Sequence, residues 1–230
     1  MPNISPYTHF SFDAWNTLIS SNKNFANRRT QCISDHLKIS YEQANLLYRQ
    51  TKMFLDYSAE IAENCMTSQK CWQLLVKMSK IENIDVPVLQ SEIEYEFSKN
   101  LPHVNEDIVF ALRKIKLNTN ISMGILSNTN FIKGDILREN IFNYWGVFNF
   151  EIFSDEILIP KPNKEIFETM YCKAKAIVDN PFFDKSNILH IGDNEICDGA
   201  ASKYGMGFLH VESPKILAIK LNKLESANHA

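Results

Sequence analysis

Four short apolar runs, each leading into a polar residue, constrain this chain more than any other feature. His9–Phe12 is aromatic and alternating and runs into Asp13, and Ile121–Leu126 runs into Ser127. Phe148–Phe153 is followed by Lys161, and Asn187–Ile191 by Gly192 and Asp193. Runs of this kind, bounded by turn-forming residues, predict strands. Helical patterns lie among them. Glu106–Lys116 carries Ile108, Val109, Leu112 and Ile115 on one face, Phe131–Glu139 is a second helix, and Asn163–Ala176 begins after Pro160 and Pro162. Cys197–Tyr204 reads as a further helix and Gly207–Val211 as a last strand. Strands alternating with helices predict βαβ units, hence a three-layer Rossmann-like α/β core with a parallel sheet covered on both faces.

Glycine placement divides the chain. All seven glycines fall between Gly124 and Gly207, so none lies in the first 123 residues. That excludes an N-terminal phosphate-binding loop or dinucleotide fingerprint, because both need glycines for close backbone approach to phosphate. From Asn24 to Asn100 only Pro87 interrupts segments such as Tyr41–Tyr57 and Gln69–Ile81, whose apolar residues recur three and four apart. These predict amphipathic helices. The expected organisation is a core of residues 1–19 and 104–230 with an all-helical cap, residues 20–103, inserted after the first strand.

Charge and cysteine content narrow the partners. With 24 basic and 27 acidic side chains the net charge is −3, which gives no electrostatic reason to expect nucleic acid or an anionic membrane. The five cysteines show no C-x-x-C spacing and read as reduced thiols. No apolar run approaches the length of a membrane span, and Met1–Pro6 has no charged or hydrophobic leader segment. A cytoplasmic protein is expected, as a monomer or homodimer.

In open parallel sheets ligands bind beyond the carboxyl ends of the strands. Those ends offer Asp13, Ser127, Lys161 and Asp193. Two carboxylates suit a divalent cation, while a lysine and a hydroxyl suit phosphate oxygens.

The residues at those ends resemble four motifs of the haloacid dehalogenase-like (HAD) hydrolases. Phe12-Asp13-Ala14-Trp15-Asn16-Thr17-Leu18 is similar to the first, normally Asp-x-Asp-Gly-Thr, and Ile125-Leu126-Ser127-Asn128-Thr129 to the second. Ser154-Asp155-Glu156 through Lys161-Pro162 resembles the third, and His190-Ile191-Gly192-Asp193 through Asp198-Gly199-Ala200 the acidic fourth. They stand in the family's order and cover the core, and the helical segment sits where subclass I members carry a cap. The resemblance implies a Mg²⁺-dependent hydrolase acting on a small phosphorylated metabolite. Asp13 would be the nucleophile and form an aspartyl-phosphate, and Lys161 and Ser127 would assist the chemistry. Asp13, the carbonyl of Trp15, Asp193 and Asp198 would serve the metal, Asp198 through water or Lys161. Ser127, Asn128, Lys161, Trp15 and Thr17 would line the phosphate and substrate site, Thr17 by steadying the first motif's turn.

Two positions depart from the pattern. Trp15 stands where the family's phosphatases have a second aspartate that protonates the leaving group, help typically worth ~10²–10⁴ in rate. The position is also substituted in the family's 2-haloacid dehalogenases and phosphonatases. The intact Gly192-Asp193 motif argues against metal-free dehalogenation, and Lys52 is the cap's candidate for phosphonatase-like Schiff-base chemistry. A good leaving group such as an acyl phosphate fits Trp15 best; a weakened ligand- or protein-binding member is the alternative. His36 and His103 are candidate replacement proton donors, and Arg28, Arg29 and Arg49 are candidates to serve a carboxylate substrate. Asn16 replaces the motif's glycine, and Asn is among the few other residues that tolerate positive φ.

Overall fold

The computed structural model describes residues 7–227. Among them, strands β1 (His9–Phe12), β4 (Ser122–Ser127), β5 (Phe150–Phe153), β6 (Ile188–Gly192) and β7 (Gly207–His210) form one sheet in the order β5-β4-β1-β6-β7. Every pairing in it is parallel: His9 lies opposite both Ser122 and Ile188, and Phe12 opposite Ile125 and Ile191. The central strand β1 is fully buried, its polar His9 and Ser11 included. Period-two alternation sends side chains to two cores. Met123, Ile125, Leu189 and Ile191 join one with α5 (Glu106–Asn118) and α9 (Pro214–Ala227). Leu126, Ile152 and Ile188 join the other with Ile166, Phe167 and Met170 of α8 (Lys164–Ile177). The fold is the expected helix–sheet–helix α/β architecture.

Between β1 and α5 the chain builds a two-stranded antiparallel ribbon and four helices. The ribbon pairs Ile19 of β2 (Ile19–Ser20) with Val104 of β3 (His103–Val104). The helices are α1 (Lys23–Leu37), α2 (Tyr41–Ala62), α3 (Ser68–Ser79) and α4 (Val86–Lys99). Their boundaries follow ordinary capping chemistry. Ser40 and Gln43 form a reciprocal capping box, and Thr67 and Asp85 cap α3 and α4. The apolar core is continuous from these helices into the sheet: the Trp72 and Phe131 rings pack at a tilt with centroids 4.5 Å apart. The Trp72 Nε1–H and Ser68 Oγ–H both donate to the Phe131 carbonyl, at 3.0 and 2.7 Å.

Three local expectations need correction. The helix expected at Phe131–Glu139 is α6, Gly134–Asn140, because Gly134 starts it rather than interrupting it. A Cβ there would meet the Phe153 ring at 2.3 Å, so the helix begins where the chain presses on β5. A short helix, α7 (Ser154–Ile157), lies between β5 and Lys161, where no element is expected from the sequence. The helix expected at Cys197–Tyr204 is a 3₁₀ turn, Gly199–Tyr204. The preceding residues are held by Asn194, whose side chain accepts from the N–H groups of Ile196 and Cys197. No helix of the described residues is long and apolar enough to cross a membrane.

Candidate active site

The site forms at the carboxyl edge of the sheet. Asp13 follows β1 and its N–H donates to the Ile191 carbonyl at 2.8 Å, which fixes the residue where β1 and β6 end. The next turn is a tight one. Asn16 adopts φ 56°, the positive φ expected of it, and its N–H donates to the Ile19 carbonyl at 2.8 Å. Ile19 bonds Ala14 on one side and Asn16 on the other, so this bridge leaves out the Trp15 carbonyl.

Asp13, Asp193 and Asp198 converge, with one carboxylate oxygen of each within 4.8 Å of the others. Lys161 lies among them and is 1 % exposed. Its Nζ donates to Asp13 Oδ1 at 2.8 Å, to Asp198 Oδ1 at 2.5 Å and to the Leu126 carbonyl at 2.7 Å, using all three ammonium donors. Asn128 fixes the lysine's backbone reciprocally: its Nδ2–H donates to the Lys161 carbonyl at 2.8 Å, and its Oδ1 accepts from the Lys161 N–H at 2.7 Å. Ser127 Oγ–H donates to Asp13 Oδ1 at 3.0 Å. Both bonds to Asp13 therefore fall on Oδ1, and its other oxygen makes no hydrogen bond to the described residues.

Asp198 is differently committed. Oδ1 accepts from Lys161 and meets His190 Nε2 at 3.0 Å, and Oδ2 accepts from the Asn194 N–H at 3.0 Å. Its room depends on Gly192, where a Cβ would lie 2.2 Å from the Asp198 carboxyl carbon. Asp193 is more open: only Oδ2 is engaged, by Asn16 Nδ2–H at 3.1 Å. His190 is fully buried and reaches both Asp198 and Ser11.

This geometry pulls the carboxyls apart electrostatically. Burial raises Asp13 to about 7, against the pull of Lys161, and Asp198 adds to the rise. Burial also opposes the charge on Asp198, but Lys161 and the His190 hydrogen bond outweigh it and hold that carboxyl well below its ordinary range. Lys161 is likewise kept charged by the two aspartates despite burial. Asp193 is raised, mainly by burial.

Above this cluster lies a cavity of about 460 Å³ between the sheet edge and the four helices. Asp13, Trp15, Asn128, Lys161, Asp193 and Asp198 all line it. Ser127 and Thr17 do not: Ser127 lies fully buried beneath Asp13, and Thr17 is fully buried with its hydroxyl unpartnered, so the structure does not bring Thr17 to the site. His36 and His103 are also elsewhere. His36 pairs with Glu92 at 2.7 Å, away from the cavity, and His103 is exposed on β3.

Of the wall supplied by α2, sequence reasoning singled out Lys52 alone. Tyr48, Lys52, Leu55, Asp56, Ala59 and Glu60 face the cavity, a stripe at helical spacing. Lys52 is bound to Asp56 at 2.7 Å. Glu60 accepts from Asn194 Nδ2–H at 2.8 Å, and Asp56 accepts from Asn130 Nδ2–H at 3.2 Å. These contacts tie the helices to the loops after β6 and β4. The periodicity was visible in the sequence, but which face turned inward was not.

A parallel sheet with four polar strand ends under a helical layer defines an α/β fold of a particular kind. It is the fold of the HAD-like hydrolases. Several solved structures share it at low sequence identity. A HAD phosphatase from Thermococcus onnurineus superposes with a TM-score of 0.60 at 16 % identity, over 89 % of this chain and 86 % of that one. A chain from Bacillus subtilis described as a HAD-hydrolase, YfnB, bound to magnesium, gives 0.62 at 16 %, over 94 % and 99 %. The 2-haloacid dehalogenase from Pseudomonas syringae pv. tomato DC3000 gives 0.60 at 16 %, over 97 % and 100 %. No model of a known family matches the chain, and no curated protein matches it.

Proposed function

We propose that this chain is a cytosolic, Mg²⁺-dependent phosphohydrolase that transfers the phosphoryl group of a small phosphorylated metabolite to Asp13 and then to water. The observation that carries the reading is the Asp13–Lys161–Asp198 cluster with Asp193 beside it, opening on the cavity. The donor set fits the cation. Mg²⁺ takes hard oxygen ligands, few of them carboxylates; among the described residues Asp193 keeps an oxygen with no protein partner, and Asp13 offers a second carboxylate within reach of it. Asp198 has both oxygens committed to Lys161, His190 and Asn194, so its role is to fix Lys161 rather than to ligate. The Trp15 carbonyl is the candidate additional ligand. Bound there, the cation would offset the negative charge gathered between nucleophile and phosphoryl group.

Asp13 attacks phosphorus with the oxygen that carries no hydrogen bond. An Asp13 O–P bond forms as the P–O bond to the leaving group breaks, and the leaving group departs with the electron pair. Lys161 holds Asp13 Oδ1 and carries positive charge toward the transferring oxygens, while Ser127 keeps the carboxylate's orientation. Water then attacks phosphorus, the P–O bond to Asp13 breaks with its electron pair returning to the carboxylate, and phosphate leaves carrying a proton of that water. Trp15 cannot donate a proton, so the leaving group departs as its anion. This favours a stable one, as in acyl phosphates.

Phosphatases and dehalogenases share this fold, and the acidic cluster supports the phosphatase reading. A displacement on carbon by Asp13 alone has no use for a second and third carboxylate around one ammonium. The test is acid quench after mixing with acetyl phosphate and Mg²⁺, followed by peptide mass analysis. The expected result is one phosphoryl group on Asp13, lost with chelator present. No adduct under turnover conditions would overturn the reading. Halide release from 2-chloropropionate in the presence of chelator would support the dehalogenase instead.

A further inference from the structure

Three arginines of the helical layer were candidates to meet an anionic substrate, and the structure separates them. Arg28 bonds Glu96 at 3.0 Å, and Arg49 is exposed; neither lines the cavity. Arg29 does. Its guanidinium carbon sits 3.5 Å from the centroid of the Tyr48 ring and 5.8 Å from that of Phe25. Arg29 Nε is buried without a hydrogen-bond partner, and no carboxylate among the described residues pairs with this arginine.

The other cations on the cavity wall are satisfied at short range. Lys161 is held by Asp13 and Asp198, and Lys52 by Asp56. Glu60 and Asp193 are engaged by Asn194 and Asn16 rather than by Arg29. A guanidinium laid on an aromatic face is held in orientation with its N–H edge available. That edge matches two oxygens of a carboxylate or phosphate. Leaving a buried donor unmet is costly, so an arginine kept this way is a preorganised anion receptor.

We propose that Arg29 binds a second anionic group of the substrate, a carboxylate or a second phosphoryl group, at the end remote from the phosphorus that reacts with Asp13. This rests on the phosphohydrolase reading and narrows it: the substrate is a phosphorylated acid or a bisphosphate rather than a singly charged-ended ester.

Calorimetric titration of the full chain with Mg²⁺ tests it, using three inert probes: propylphosphonate, 3-phosphonopropionate and propane-1,3-diphosphonate. A charge-assisted contact predicts that at least one two-ended probe binds about tenfold or more tighter than propylphosphonate. Arg29→Met should erase that preference, and Arg29→Lys, which keeps charge but loses the fork, should retain only part of it. The tighter two-ended probe tells carboxylate from phosphate. Equal binding of all three by the native chain overturns the proposal, as does a preference that survives Arg29→Met. Should Arg29→Met fail to fold, an undiminished preference in Arg29→Lys overturns bidentate recognition. Acetyl phosphate labelling of Asp13 reads the catalytic role separately. Labelling without two-ended preference sinks only the role of Arg29; preference without labelling sinks the phosphoryl transfer and leaves an anion-binding protein.

Discussion

Replacing Asp13 by Asn should abolish turnover and make the metal-free protein more stable at alkaline pH. Asp13 is 7 % exposed and shares Lys161 with Asp198, so its charge is both desolvated and opposed by a neighbour. Raising its carboxyl from the ordinary 3.8 to about 7 corresponds to about 4 kcal/mol of preference for the neutral form. A folded value above the unfolded one means that stability is complete below about pH 4 and is lost as pH rises through about 7. Asn has nearly the same shape, and its Oδ1 still accepts from Ser127 and Lys161. The substitution removes the cost of ionisation but also one counter-charge of a buried ammonium. The gain at pH 8 should therefore be about 1–3 kcal/mol, below the full value. Urea unfolding in chelator at pH 8 and pH 5 measures it. The gain should be largest at pH 8 and fall by more than half at pH 5, where native Asp13 holds its proton and the cost has only begun to build up above the unfolded value. Adding Mg²⁺ should reverse the order at pH 8 by stabilising the native chain more than the variant. A variant less stable than native in chelator at pH 8, or equally stabilised at both pH values, would refute the electrostatic account of the cluster.

Gly192→Ala drives a Cβ into Asp198, whose carboxyl carbon would lie 2.2 Å away. It should cost about 1–3 kcal/mol of stability by overpacking and displace the partner of Lys161, with at least a tenfold fall in kcat read by steady-state kinetics. Trp15→Asp should raise hydrolysis of alkyl phosphates relative to acetyl phosphate, because only the former need a proton donor, by up to ~10²; an unchanged ratio would mean that another group already donates. His9 is buried against Phe150 and lowered to about 3, chiefly by burial and then by His190. Its depressed folded value means stability is complete above pH 6.5 and declines as pH falls toward 3, by about 2 kcal/mol at pH 5. His9→Gln should flatten that decline in urea unfolding compared between pH 7 and pH 5.

The legible parts of this protein are those where a single residue's type and neighbours decide the outcome. A strand buried on both faces is rich in apolar residues, so β1, β4 and β6 declared themselves, and the polar residue that closes each run had to sit at the sheet edge. That logic found Asp13, Ser127 and Asp193. It found Lys161 by motif, without detecting α7, because four residues of helix are too few to show a period. Asn16 at φ 56° was foreseeable from the residue that replaced glycine. The upper wall was not legible, for a physical reason. α2 has only three buried residues, Ala44, Thr51 and Leu55, and exposes Leu46, Met53, Phe54, Tyr57 and Ile61 on its outer side. Its apolar residues therefore point the hydrophobic pattern away from the cavity, while the inward stripe is Tyr48, Lys52, Asp56 and Glu60. A helix whose functional face is polar reverses the usual inference from amphipathicity to burial. The same reversal hid which arginine matters. Arg28 and Arg29 are adjacent, so one helical step of about 100° separates a surface ion pair from a cation on the cavity wall. Only the packing of Arg29 on Tyr48 shows which of the two lines the cavity.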